Sequence, residues 1–290
     1  MIKKQLVKLA QGLGYDIKKR PKADLNIYQQ LYSKESLENK RFYNVGAGGF
    51  SHPFWTNVDF LSDWYSHYDI SPSAIHHDLM SLEDLPIPSD CGEVVYSSHT
   101  VEHITDAAAQ KLFNEAYRIL KKGGILRITT PNINLEYRAY QDDDRNYFYW
   151  IDNYSRKEEC DRVNINKPMN QASTEQIFLH HFASNASELH KDGAEKRISD
   201  EELKQVFAEK PLAEALNYCT SKCEEEIQSK YPGNHINWWN PDKMTRMFQE
   251  AGFSKIFRSG YGQSFSPVMR DLTLFDNTHP KISLYMEAVK

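Results

Sequence analysis

The chain has little cysteine: four residues in 290, namely Cys91, Cys160, Cys219 and Cys223. None is paired at the C-x-x-C spacing of a zinc site, and four scattered thiols in a chain of this length make no disulfide framework. Long apolar runs are absent as well. The opening "MIKKQLVKLAQGLGYD" is too short and too interrupted for a signal peptide. No segment approaches the ~20 apolar residues of a membrane span. A reducing cytoplasm and no membrane partner are therefore expected. Positive charge is not in excess, since the net charge is −5 and the isoelectric point near 6.1. The basic run "KKRPK", Lys18 to Lys22, reads as a solvated face, so the footprint of a nucleic-acid binder is missing. There is no internal repeat, no low-complexity tract and no P-loop Lys-Ser/Thr, which argues against a nucleoside triphosphate.

What remains is an ordinary globular composition, 40% apolar and 26% charged. Its length suffices for one large domain or two medium ones, either with a full core. Residues 1–40 read as an N-terminal segment of two amphipathic helical pieces. Strand signals then cluster at "RFYNV" (41–45), "TNVDF" (56–60), "AIHHDL" (74–79), "GEVVYSS" (92–98) and "GILRITT" (124–130). The last two are apolar runs bounded by turn residues, as in strands buried on both faces. Between them "TDAAAQKLFNEAYRILKKGG" predicts a helix capped by Thr105 or Asp106. Lys121 and Lys122 would sit in its last turn and Gly123 would stop it. A second helix is expected at "NPDKMTRMFQEAGF", with Asn240 as cap, Pro241 first and Gly252 at the end. "SKIFRSG" and "KISLYMEAVK" then supply further strands. Residues 136–235, polar and dotted with aromatics, read as a helical insertion or lid growing out of one α/β domain.

The most informative stretch is "RFYNVGAGGFSHPFWTNVDF". A glycine turn leaving a parallel strand lets the backbone approach a ligand with no Cβ in the way. An acid at the end of the next strand can accept both hydroxyls of a ribose. The dinucleotide fingerprint is not met: the position for its third glycine holds Ser51, and Asp59 lies 11 residues past Gly48 instead of ~20.

The order of motifs resembles that of class I S-adenosylmethionine-dependent methyltransferases. "VGAGGF" is similar to the family's glycine motif, and Asp59 in "NVDF" to its ribose-binding acid. Asp78 in "HHDL" matches the acid facing the adenine amino group, with Leu79 over the ring. "LPIPSDCGEVVYSSHTVEHI", "EAYRILKKGGILRITTPN" and "MFQEAGFSKI" are similar to the family's fourth-strand, fifth-strand and sixth-strand regions. The resemblance covers about 41–135 and 240–290 and is nearest to a subgroup with a shortened first helix and an NVD second strand. It departs at a displaced glycine and at Cys91-Gly92-Glu93. It implies a Rossmann-like seven-stranded methyltransferase sheet in an α/β domain over 41–290, with an insertion after strand 5. The implied cofactor is S-adenosyl-L-methionine, touched by Gly46, Ala47, Gly48, Asp59, Phe60, Asp78, Leu79, Ser98 and His99.

Methyl transfer is an in-line displacement, so alignment contributes most and a base helps where a proton must leave. His99 and His103 are the candidate catalytic residues, with Glu102 as a brace. Were 99–104 helical, the two histidines would share a face and Glu102 would not. In the insertion, "QDDDRNYFYWIDNY" and "IFLHHFASNASELH" could hold a divalent metal but read better as a solvated turn and packed histidines. No metal is therefore assigned. The expected acceptor is a small molecule methylated on oxygen or nitrogen, with a sugar-like or secondary-metabolite scaffold preferred; a homo-oligomer is left open. The rivals are an NAD(P)-dependent oxidoreductase and a non-catalytic S-adenosylmethionine-binding protein.

Overall fold

Apolar runs with no polar alternation must be covered on both faces, and here they form the middle of a seven-stranded sheet. The computed structural model describes residues 12, 24–62, 64, 73–193 and 196–290. Most of the expected N-terminal helical segment, 1–11 and 13–23, lies outside the described residues. Helices α1 (Leu25–Leu31) and α2 (Lys34–Glu38) precede β1 (Phe42–Val45), β2 (Trp55–Asp59), β3 (Ile75–His76) and β4 (Gly92–Ser98). After α3 (Asp106–Ile119) comes β5 (Leu120–Pro131). The chain then passes through α4 (Ile133–Gln141), α5 (Lys157–Arg162), α6 (Thr174–Phe182), α7 (Asp200–Glu209), α8 (Leu212–Thr220) and α9 (Glu225–Lys230). Helix α10 (Pro241–Glu250), β6 (Lys255–Arg258) and β7 (Ser283–Val289) complete it. Among the described residues no helix is long and apolar enough to cross a membrane.

The strand order is β3-β2-β1-β4-β5-β7-β6. The first five strands in sequence pair in parallel, whereas β7 runs antiparallel between β5 and β6. Strand order reverses between β1 and β4, which opens a crevice beyond their C-terminal ends. Side-chain alternation sorts the core. Tyr43, Val45 and Val95 point to the face covered by α3 and α10, with Phe113, Ile119, Met244 and Phe248. Phe42, Val94 and Tyr96 point to the other face, where Tyr28, Trp55, Val268 and Phe275 pack. The insertion has a core of its own around Phe148, Phe178, Leu179 and Leu216, joined to the sheet side through Ile133 and Ile282. Adjacent tryptophans divide between the two: Trp238 packs into the insertion and Trp239 into the main core.

Helix α3 ends earlier than its sequence suggests. Thr105 caps it as expected, but Leu120 is extended and fully buried, and it pairs with Gly92 as the start of β5. The carbonyls of Arg118 and Ile119 are taken by the N–H groups of Asp90 and Cys91. Lys121 therefore lies on the strand, 2.5 Å from buried Glu93, and Lys122 and Gly123 lie on it too. The expected caps of α10 are present, since Asn240 Oδ1 accepts the Lys243 N–H at 2.8 Å and Gly252 closes the helix at φ +108°.

The antiparallel edge is pinned by one buried cation. Arg127 of β5 has no exposed side-chain surface and meets Asp276 at 2.6 Å and Glu287 at 3.2 Å. It also donates to Ser259 Oγ and to the Gly260 carbonyl. Replacing Arg127 by Met strands two buried carboxylates, a change that typically costs ~3–5 kcal/mol. Urea unfolding should show that loss for Arg127→Met; an unchanged midpoint would mean that the triad is not structural.

Candidate active site

The glycine turn after β1 is required by its neighbours. Gly46 stands at φ +71°, and a Cβ there would lie 2.1 Å from Thr100 Oγ1. Its N–H bonds the Val58 carbonyl at 2.9 Å, which holds the turn against the end of β2. Gly48, at φ +51°, directs its N–H to Asp59 Oδ2 at 2.5 Å, and the Phe60 N–H reaches Asp59 Oδ1 at 2.8 Å. Burial pushes the Asp59 carboxyl up, against the N–H groups of Gly48, Phe60 and Ala47, which favour its ionised form. Asp78 accepts the Met80 N–H at 2.9 Å and so caps the short turn Leu79–Ser81.

These residues open on one cavity of about 1100 Å³. All the residues expected to touch the cofactor line it, from Gly46, Ala47 and Gly48 through Asp59, Phe60, Asp78 and Leu79 to Ser98 and His99. His103 lines it as well. The insertion supplies the facing wall with Trp150, Tyr154, His180, His181, Asn234 and His235. The acidic run Asp142 to Asp144 is not part of the lining: Asp143 accepts from Thr174 Oγ1 at 2.6 Å, and Asp144 caps the turn beginning at Arg145. His190 is also outside the lining, tied to Asn234 Nδ2 at 2.9 Å.

The strand-end loop after β4 departs from the expected geometry. His99 adopts φ +52°, and only Val101–His103 forms a helical turn, of the tight three-residue kind. Glu102, three residues on, stands beside His99 all the same, with Nδ1 3.0 Å from Oε1 though off the line of a good hydrogen bond. The other oxygen accepts from Thr130 Oγ1 at 3.0 Å. Burial raises the Glu102 carboxyl, but the charge and hydrogen bonding of His99 outweigh this and hold it down to about 2. His99 Nε2 meets Ser283 Oγ at 2.8 Å. The insertion closes on this loop, because the N–H groups of Ile236 and Asn237 bond the Glu102 carbonyl.

Three more imidazoles crowd the wall. His235 lies 4.6 Å from His103 and 5.2 Å from His181, ring centre to ring centre. His181 stacks on Trp150 and lies 2.9 Å from buried Glu136. Burial pushes His180 down to about 3, and it lowers His103 and His235 as well, so these rings are neutral at pH 7. Glu136 was not legible as the partner of His181, since nothing in its local pattern separates it from an ordinary helix face.

Residues 58–128 match the family model described as a methyltransferase domain. No curated protein matches the chain. Among solved structures, a Thermotoga maritima protein described as a SAM-dependent methyltransferase, possible histamine N-methyltransferase, aligns at 11% identity over 92% of this chain and 88% of that one, TM-score 0.37. A Mesorhizobium loti S-adenosylmethionine-dependent methyltransferase aligns at 13% identity over 91% and 96%, TM-score 0.39. An Archaeoglobus fulgidus SAM-dependent methyltransferase aligns at 12% identity over 93% and 96%, TM-score 0.37.

Gly46→Ala should destabilise the protein by more than the ~1–2 kcal/mol of a left-handed non-glycine residue, because its methyl also meets Thr100. Adding Thr100→Ala should restore part of the loss in thermal or urea unfolding. Equal stability of Gly46→Ala and the parent would show that the turn is not constrained as described.

Proposed function

We propose that the chain is a class I S-adenosylmethionine-dependent methyltransferase and that it methylates a hydroxyl or amine of a small, sugar-like or secondary-metabolite acceptor. The observation that carries this reading is the convergence of Asp59, Asp78 and the Gly46–Gly48 turn on one cavity. The residues present fit S-adenosylmethionine. Asp59 would hold the ribose hydroxyls, exchanging neighbouring amides for them. Asp78 and Leu79 would hold the adenine, and the turn would hold the amino-acid end. When bound, the cofactor supplies an electrophilic methyl on a positively charged sulfur. No phosphate-binding lysine is needed, and the ionised Glu102 gives the cavity a fixed negative charge that does not repel a cation.

The chain's own contribution is alignment plus one proton acceptor. Positioning is the larger effect, up to ~7–11 kcal/mol, against ~10²–10⁴-fold for a general base. His99 fits the latter role. Glu102, with Oε1 3.0 Å from Nδ1, would favour the imidazolium through its charge. Nε2 can then take the acceptor's proton once the Ser283 hydroxyl turns away. That hydroxyl has other partners within reach, the carbonyls of Thr278 and His279. His103, the second expected catalytic residue, has its Nδ1 committed to the Asn234 carbonyl and is given no proton-transfer step.

A small acceptor is favoured by the insertion, which walls the cavity with polar and aromatic side chains. A nucleic-acid acceptor is disfavoured by the net charge of −5.

Asp59→Ala should abolish S-adenosylhomocysteine binding in calorimetry, and unchanged affinity would overturn the assignment of the pocket. His99→Ala should bind it like the parent yet lower turnover by ~10²–10⁴-fold, read as transfer of labelled methyl to a panel of hydroxylated and amine acceptors. Undiminished transfer would remove His99 from the chemistry.

A further inference from the structure

Two imidazoles in the cavity wall have no part in the transfer step. His103 Nδ1 contacts the Asn234 carbonyl at 3.0 Å, and His235 Nδ1 contacts the His181 carbonyl at 2.6 Å. A carbonyl only accepts, so each neutral ring must carry its proton on Nδ1. Nε2 is then a lone pair in both, with no hydrogen bond among the described residues. The rings meet edge to face at 4.6 Å, and Glu102 stands beside them. One donor atom from each of the three residues lies within 4.8 Å of the others. Glu102 Oε1 is buried with no well-directed hydrogen bond, although His99 lies 3.0 Å away.

We propose that Glu102, His103 and His235 form a binding site for a divalent cation of the zinc or iron(II) kind, placed on the wall of the methyl-transfer cavity. Two imidazoles and one carboxylate are a donor set that such ions take, whereas magnesium and calcium prefer oxygen ligands throughout. The far nitrogen of each ring is already anchored on a backbone carbonyl. That arrangement fixes the tautomer and aims a ligating imidazole. Donors on a tetrahedral zinc with ~2.0 Å bonds stand about 3.3 Å apart, so the three side chains would draw together slightly. Three protein ligands leave at least one coordination position open toward the cavity.

The ligands come from distant parts of the chain. Glu102 and His103 follow β4, and His235 lies in the return from the insertion. An ion there would fasten the insertion to the sheet and raise the unfolding temperature. If the methyl-transfer reading holds, the same ion could also receive the acceptor's oxygen and ease loss of its proton. The binding site itself does not rest on that reading.

The test titrates chelator-stripped full-length protein with zinc chloride by calorimetry, with metal content measured after gel filtration. The parent should hold one zinc ion per chain, with a raised unfolding temperature. Losing even an outer hydrogen-bond partner of a ligand costs ~10–100-fold, so His235→Ala and His103→Asn should each bind zinc at least ~100-fold more weakly. S-adenosylhomocysteine affinity and circular dichroism identify which variants remain folded, and two variants are used so that one misfolding does not end the test. The proposal is overturned if the parent takes up no stoichiometric zinc, or if a folded variant binds it as tightly as the parent. Failure of the parent to bind S-adenosylhomocysteine would count against the methyltransferase reading and leave the zinc result standing.

Discussion

A buried carboxylate sets the layout of this site. Glu102 is 1% exposed, and an ionised group so placed carries a desolvation penalty of several kcal/mol unless its surroundings answer it. His99 stands against one carboxylate oxygen and Thr130 of β5 donates to the other, while the N–H groups of Ile236 and Asn237 bond the backbone carbonyl of the same residue. The ends of β4 and β5 and the return of the insertion are thereby joined at one residue.

The cavity beside this junction has two kinds of wall. The sheet contributes an edge of strand ends, with a glycine turn, Asp59 and Asp78, to which the proposed function assigns the nucleoside. The insertion contributes imidazoles, Trp150 and Tyr154, a surface suited to a polar acceptor. The insertion folds around its own aromatic core, in which Tyr140 and Phe178 stack at 4.8 Å, and it is nailed to the sheet by Trp238 and Trp239 facing opposite ways. Under the proposed function, a fixed nucleoside frame and a variable acceptor wall would fall to the two cores separately.

The strand-end half of the cavity was legible in the sequence because it is local. Gly46 to Asp59 spans one turn and one strand, and Asp78 follows the next strand end, so the order of motifs carried the geometry. The sheet and the caps of α3 and α10 were legible for the same reason. The end of α3 was not, because Leu120 is claimed by a pairing with Gly92 that helix propensity cannot anticipate. The Glu102–His99 contact, three residues apart, is one that helical spacing itself allows. The imidazole wall was hidden by distance along the chain: His103 meets Asn234 across 131 residues, and no spacing rule links them.

A crystal structure with S-adenosylhomocysteine tests the central claim most directly. The account predicts ribose hydroxyls within hydrogen-bonding distance of Asp59, adenine against Asp78 and Leu79, and the sulfur turned toward His99 and Glu102. A nucleoside bound elsewhere, or in this cavity with Asp59 still closed on the Gly48 and Phe60 amides, would contradict it.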